Sequence, residues 1–177
     1  MKRIIAVVLL VTLAAAPAYP HELTIKARST EMKAGEPFRA TVQSAHKFIV
    51  PEEVEVLERV KAGIIEDGRL NEANITGNNS ELCIDFTVTP KKLDGSVMLA
   101  AIKDGETWSI TNEGGKTGSR RELEAQGLKV ISSNKYDKYA KAIFNTSHDD
   151  KNFAQVLGHP LEIIPITNPG DAKTGEY

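Results

Sequence analysis

The stretch Phe38-Arg-Ala-Thr-Val-Gln-Ser-Ala-His46 alternates its side chains as a half-buried β-strand does, with the apolar ones on one face. The earlier stretch His21-Glu-Leu-Thr-Ile-Lys-Ala27 alternates in the same way. A turn at Gly35-Glu36-Pro37 separates them, so the two stretches predict an antiparallel hairpin.

One register of this hairpin matches both apolar faces, and it pairs Ala27 with Ala40. A slip of one residue would turn every buried side chain outward, so the buried face selects this register. The residues that then face one another are Ile25 with Val42, Leu23 with Ser44 and His21 with His46. Directly opposed residues have Cβ atoms about 4.5–5.5 Å apart. The sequence therefore predicts two imidazoles side by side at the end of the hairpin.

Further strand patterns follow along the chain, and the turn at Asp67-Gly68 is a strong hairpin signal. These patterns cover Val54–Ile65, Glu81–Thr89, Val97–Ile102, Thr107–Ile110 and Leu128–Ile131. Many short strands at this spacing are typical of an antiparallel β-sandwich. We therefore expect an all-β domain over residues 19–157.

One stretch has a helical period instead of a strand period. From residue 134 to residue 145 the larger side chains recur at helical intervals, at Tyr136, Tyr139, Ala140, Ile143 and Phe144. Ser133 or Asn134 can cap the first turn. The sequence thus predicts one short helix in the C-terminal half, near residues 134–145, and a solvated surface loop before it over Gly114–Arg121.

The first 18 residues have the composition of a signal peptide. A basic Met1-Lys-Arg3 precedes an apolar run, and Ala16-Pro-Ala18 fits a cleavage site. Without Lys2 and Arg3 the chain has 20 basic residues against 24 acidic ones, a net charge of about −4. We expect an exported protein with no membrane insertion after cleavage. The mild acidity excludes a basic face for nucleic acid.

The single cysteine, Cys83, cannot form an internal disulfide. It lies inside the strand pattern Glu81-Leu-Cys-Ile-Asp-Phe86, so we expect a buried, structural thiol.

The C-terminal stretch from Leu161 to Ile166 is apolar, but Pro165 limits it to an edge strand or a domain link. Only turn-like residues follow Pro169. We expect residues 158–177 to be a link into a C-terminal β module that is truncated or missing.

The sequence has no glycine-rich phosphate loop, no Gly-x-Ser-x-Gly elbow and no His-Glu-x-x-His helix, so we do not expect an enzyme. The chemistry that remains is imidazole, a common ligand of nickel, copper and zinc. The candidate metal ligands are His21, His46, His159 and His148. The first two are paired by the hairpin register. Two donors bind an ion weakly, so we expect a third from His159, or from His148 with Asp149.

Four motifs resemble a bacterial periplasmic family of unknown function whose members often accompany nickel and cobalt uptake systems. They are His21-Glu-Leu, Gly35-Glu-Pro-Phe with Ala45-His-Lys-Phe48, Lys138-Tyr-Ala-Lys-Ala-Ile-Phe144 and Gly158-His-Pro-Leu-Glu-Ile-Ile-Pro165. The resemblance implies an immunoglobulin-like sandwich in the periplasm that binds nickel or cobalt or contacts a membrane transporter component. The tryptophan that usually follows the first histidine is absent, since Thr24-Ile25 stands there. By this match, His21 and His46 are the best ligand candidates, followed by His159.

Two alternatives remain open at this point. The chain can be a structural or adhesive sandwich module whose histidines bind no metal. It can also be a copper enzyme of the histidine-brace kind, which requires the mature chain to begin at His21. Cleavage after Ala18 would instead leave Tyr19-Pro20-His21, and Pro20 has no N–H for an amino-terminal copper or nickel chelate.

Overall fold

Nine strands form two antiparallel sheets within residues 21–48, 50–147 and 149–172, the ranges that the computed structural model describes. In chain order the strands are β1 (Glu22–Ala27), β2 (Phe38–Ala45), β3 (Val60–Glu66), β4 (Arg69–Glu72), β5 (Ile75–Asn78), β6 (Cys83–Val88), β7 (Val97–Thr111), β8 (Gly114–Thr117) and β9 (Val130–Phe144). One short helix, α1 (Arg120–Ala125), and 3-10 turns at Leu57–Arg59, Asn152–Ala154 and Pro169–Asp171 complete the described structure.

The first sheet has the order β1-β2-β6-β5, and the second has the order β4-β3-β7-β8 with β9 paired to β7. Apolar side chains from both sheets meet between them. The buried core residues are Leu23, Met32, Phe38, Ala40, Val42, Val60, Ala62, Ile64, Ile84, Phe86, Val88, Val97, Leu99, Ala101 and Ala140. The predicted all-β sandwich, with one short helix in the C-terminal half, is confirmed.

The register of the first hairpin is also confirmed. Ala27 pairs with Ala40, and Leu23 pairs with Ser44. The other hairpin signal holds as well, because Asp67 and Gly68 join β3 to β4 with φ angles of 50° and 76°. Positive φ at both turn residues matches the twist of the flanking strands.

The space between the sheets changes character along its length. At one end Phe38 packs against Phe144 with ring centroids 5.1 Å apart, and Val97 pairs with Phe144. Six residues further along the same three strands stand Ser44, Lys103 and Lys138, all turned into the inter-sheet space. Six residues of strand span about 20 Å. We call these the apolar end and the ionic end.

The predicted helix at residues 134–145 is wrong, since these residues belong to β9. Their helical spacing coexists with a strand alternation in which Lys138, Ala140 and Phe144 face inward. Pairing with β7 runs from Val97 to Thr111, and this long ladder outweighs the local preference.

The short helix lies earlier than predicted, in the region expected to be a loop. Gly114–Thr117 forms β8, and α1 begins after Ser119. The side chains and backbone of Ser119 and Glu122 form a reciprocal capping box. The sequence Ser119-Arg-Arg-Glu122 carries this signal and could have predicted the start of the helix.

Cys83 is buried at the start of β6, as expected of a structural thiol. Burial, followed by the charge of Asp85, raises the pKa of its thiol. This keeps the thiol protonated and unreactive.

The C-terminal stretch Leu161–Ile166 forms no strand. Glu162 fastens it to β9 through Lys141 Nζ (2.7 Å) and accepts hydrogen bonds from the backbone N–H groups of Leu157 and Gly158. The predicted signal peptide, residues 1–18, lies outside the described residues. None of the described helices is long and apolar enough to cross a membrane.

Candidate metal centre

The hairpin places two imidazoles together at the ionic end of the sandwich. His21 directly precedes β1, and His46 directly follows β2. Their ring centroids are 3.9 Å apart, with the ring planes at 62°. The register that buries the hairpin's apolar face therefore has the geometric consequence that the sequence predicted.

The chain after His46 turns back and brings two carboxylates to the same place. The N–H of Val50 donates to the carbonyl of Lys47 (3.0 Å), and the N–H of Glu52 donates to the carbonyl of Ser44 (3.1 Å). Glu53 then forms an isolated antiparallel bridge with Ser44. Glu52 and Glu53 thus lie beside the end of β2.

Glu52 joins the two histidines. Its Oε2 lies 2.7 Å from Nδ1 of His46 and 3.3 Å from Nε2 of His21. The hydrogen bond with His46 lowers the pKa of Glu52 below its ordinary value. We call His21, His46 and Glu52 the histidine group.

The histidine group has donors suited to a metal ion. Each member offers one ligand atom, and these atoms all lie within 4.8 Å of one another. Ligand atoms about 2.1 Å from a tetrahedral ion are roughly 3.4 Å apart, which the 3.3 Å between His21 Nε2 and Glu52 Oε2 already matches. In the part of the chain that the structure describes, this group brings three His and Glu side chains close enough to share one ion.

Glu53 contacts the other nitrogen of His21. Its Oε1 lies 2.7 Å from His21 Nδ1, so the imidazole has one carboxylate at each nitrogen. This leaves Nε2 as the nitrogen that faces Glu52 of the histidine group.

The two remaining predicted ligands are placed differently. His159 stacks on Tyr139, with ring centroids 4.7 Å apart and planes at 26°. It lines a groove of about 690 Å³ that His21 also lines, but it is not part of the histidine group. His148 lies outside the described residues.

Beneath the histidine group three charged side chains and one hydroxyl meet, mostly out of contact with water. We call them the ionic cluster: Ser44, Glu55, Lys103 and Lys138. Lys103 donates to Oε2 of Glu55, and Lys138 Nζ lies 3.1 Å from its Oε1. Ser44 Oγ donates to the same Oε1 (2.8 Å). Burial alone would raise the pKa of Glu55, but the bonds from Lys103 and Ser44 and the charge of Lys138 outweigh it and lower that pKa.

Sequence reasoning missed Glu52 and Glu53. The only local signal was two acidic residues after Pro51, shortly after a histidine that ends a strand. Acidic pairs of this kind are common on exposed surfaces, so the signal becomes informative only once the turn after His46 is known.

The fold and the site together define the class of protein: a β-sandwich with a histidine–carboxylate group at one end. The chain belongs to the family described as a domain of unknown function, DUF4198, whose model matches residues 18–177. No curated protein and no solved structure matches the chain significantly.

Proposed function

We propose that this protein is a periplasmic accessory protein of a membrane metal-uptake transporter and that its cargo is a divalent transition-metal ion. The observation that carries the proposal is the close approach of His21, His46 and Glu52, whose ligand atoms lie within 4.8 Å of one another. The predicted signal peptide and the motif resemblance support the periplasmic location.

The donor set favours a transition metal over calcium or magnesium. Imidazole suits nickel, copper, zinc and iron, whereas calcium and magnesium prefer all-oxygen sites. We choose nickel or cobalt because the sequence motifs resemble a family that accompanies uptake systems for these two ions. Copper and zinc fit the same donors and serve as comparison ions.

The exposure of the site suits delivery better than permanent storage. The side chains of His21, His46 and Glu52 are 26%, 42% and 38% exposed. Three protein donors leave coordination positions for water or for a donor from the transporter. Such an ion can enter, and it can be passed on to a membrane component without unfolding the protein.

A histidine-brace enzyme would use His21 differently. A brace joins the terminal amine and Nδ1 of the same histidine, and here Nδ1 is 2.7 Å from Glu53. We therefore place the ion at Nε2 and propose binding without catalysis.

Titration of the purified mature protein with nickel, cobalt, copper and zinc tests the proposal. We expect one ion per chain, with His46→Ala abolishing stoichiometric binding of nickel or cobalt and His21→Ala doing the same. The fold should persist, because both rings lie at strand ends and contribute little to the core. If both variants bind nickel or cobalt as the wild type does, the ion binds elsewhere or not at all. That result would favour the alternative of a structural module without a metal.

His159→Ala is the matched control, because it removes an imidazole outside the histidine group. We expect less than a tenfold change in affinity. A larger loss would mean that His159 leaves Tyr139 to become the third donor in place of Glu52. His148→Ala, measured in parallel, tests the last of the four histidines.

A further inference from the structure

The two nitrogens of His21 face carboxylates at different distances. Nδ1 is 2.7 Å from Glu53 Oε1, and Nε2 is 3.3 Å from Glu52 Oε2. A neutral imidazole has one N–H and one lone pair, so the nitrogen that carries the proton decides which nitrogen can bind an ion. Glu52 Oε2 also lies 2.7 Å from His46, which leaves Glu53 as the closer partner for the proton of His21.

Glu53 is held in place from below. Its backbone bridges to Ser44, and its Oε1 lies 3.3 Å from Ser44 Oγ. Ser44 in turn donates to Glu55, which is fixed between Lys103 and Lys138. Because Glu55 is only two residues along the chain from Glu53, the ionic cluster and the bridge to Ser44 anchor the local backbone that presents Glu53 to His21.

We propose that Glu53 is a positioning residue that accepts a hydrogen bond from Nδ1–H of His21 and so directs the lone pair of Nε2 toward the ion. This inference rests on the proposed metal-binding function for its biological role. Its structural part, the choice of the His21 tautomer, concerns the metal-free protein and stands separately.

The chemistry of metal sites supports this role. A histidine that binds a metal usually donates its other N–H to a carboxylate or carbonyl, which fixes the tautomer and raises the basicity of the ligand. Loss of such a partner typically weakens binding by about 10–100-fold. The cluster Ser44, Glu55, Lys103 and Lys138 provides the rigid support that an exposed carboxylate otherwise lacks.

The test compares Glu53→Gln with Glu58→Gln. Both changes remove one negative charge, but Glu58 is an exposed residue of the 3-10 turn at Leu57–Arg59, outside both clusters. The first measurement is the His21 tautomer in metal-free protein, read from nitrogen chemical shifts by NMR. The second is the dissociation constant for nickel.

We expect the wild type and Glu58→Gln to hold His21 as the Nδ1–H tautomer. Glu53→Gln should lose this preference, because an amide both donates and accepts, and its nickel dissociation constant should rise about 10–100-fold. Ser44→Ala should shift both readouts in the same direction by a smaller factor. If Glu53→Gln keeps both the wild-type tautomer and the wild-type affinity for nickel, the proposal is overturned.

The outcomes separate this inference from the proposed function. If the wild type binds no nickel but Glu53→Gln still shifts the tautomer, the positioning role holds and the metal function fails. If nickel binding weakens while the tautomer stays unchanged, Glu53 acts as a ligand or as a bulk charge, and the positioning role is rejected.

Discussion

The two ends of the inter-sheet space use the same three strands for opposite purposes. At the apolar end, Phe38 and Phe144 pack edge to face beside Val97. Six residues along the same strands, Ser44, Lys103 and Lys138 surround the carboxylate of Glu55. The alternation of the strands is identical at the two ends, and only the chemistry of the inward residues differs.

This difference suggests that one end stabilises the fold and that the other end fixes the positions of the side chains at the site. Burial of apolar side chains is non-directional and stabilises the fold in proportion to the area removed from water. A buried ion pair contributes little net stability, because desolvation offsets its attraction, but it tolerates few arrangements. The histidine group lies over the ionic end, where Ser44 contacts both Glu55 and Glu53, the carboxylate beside His21. We interpret the apolar end as the source of stability and the ionic end as the support of the site.

The largest expected effect comes from Glu55→Ala, which leaves two lysines in the ionic cluster without their carboxylate. The side chains of Lys103 and Lys138 are only 10% and 19% exposed, so water cannot fully hydrate either ammonium once the carboxylate is gone. Removal of one partner of a buried pair typically destabilises a protein by about 3–5 kcal/mol. Urea unfolding measures the loss.

The control replaces the whole cluster. Glu55→Leu combined with Lys103→Met and Lys138→Met should keep stability within about 1 kcal/mol of the wild type or raise it, because no charge is left buried. Nickel affinity should nevertheless fall, since Ser44 loses its partner and Glu53 its support. A loss of more than about 1 kcal/mol in this triple variant would contradict the division of roles between the two ends, because the ionic end would then be a source of net stability.

A smaller effect on stability, and none on the site, is expected for Leu99→Ala. Leu99 is fully buried near the start of β7, two residues from Val97 of the apolar end, and belongs to the apolar core. Truncation of a buried leucine typically costs about 2–5 kcal/mol, and we expect a value near 3 kcal/mol. Nickel titration of the folded variant should return the wild-type dissociation constant. A weakened site would show that the apolar core also positions the ligands.

The sequence predicted those parts of the molecule that depend on a local period. Alternation in the first two strands gave the hairpin register, and with it the meeting of His21 and His46, because one face had to be buried. In β9 a helical and a strand period coexisted, and the pairing with β7 that decided between them is not visible in either stretch alone.

The rest of the site depends on contacts that no period encodes. Glu55 meets Lys103 across 48 residues and Lys138 across 83 residues of chain. Each of these residues looks like an ordinary surface charge in the sequence, because charged side chains are rarely buried unless they are paired. Only the packing of one sheet on the other reveals the pairing, and Glu53 gains its role from the same packing.

A third carboxylate extends the comparison to the surface of the sandwich. Glu162 meets one lysine, Lys141, and two backbone N–H groups, whereas Glu55 meets two lysines and a hydroxyl. Burial alone would raise the pKa of Glu162, but the bonds from Lys141, Leu157 and Gly158 lower it to about 2. The contact fastens the C-terminal stretch and takes no part in the core, so its loss should release the stretch without unfolding the sandwich.

The smallest expected effect is therefore local and depends on pH. The pKa of Glu162 is lowered from an ordinary value of 4.5, so the ionised form stabilises the attachment fully above about pH 4.5. As the pH falls from there toward 2, protonation removes this stabilisation. Hydrogen exchange of the Leu157 and Gly158 amides, corrected for the intrinsic pH dependence, should accelerate over this window. Hydrogen bonds to charged groups contribute on the order of 1.5 kcal/mol, so we expect about a tenfold change in the exchange rate.

The control is Glu162→Gln, in which the Leu157 and Gly158 amides should exchange rapidly at every pH. If these amides are equally protected in this variant and in the wild type at neutral pH, the Tyr139–His159 stack alone holds the stretch.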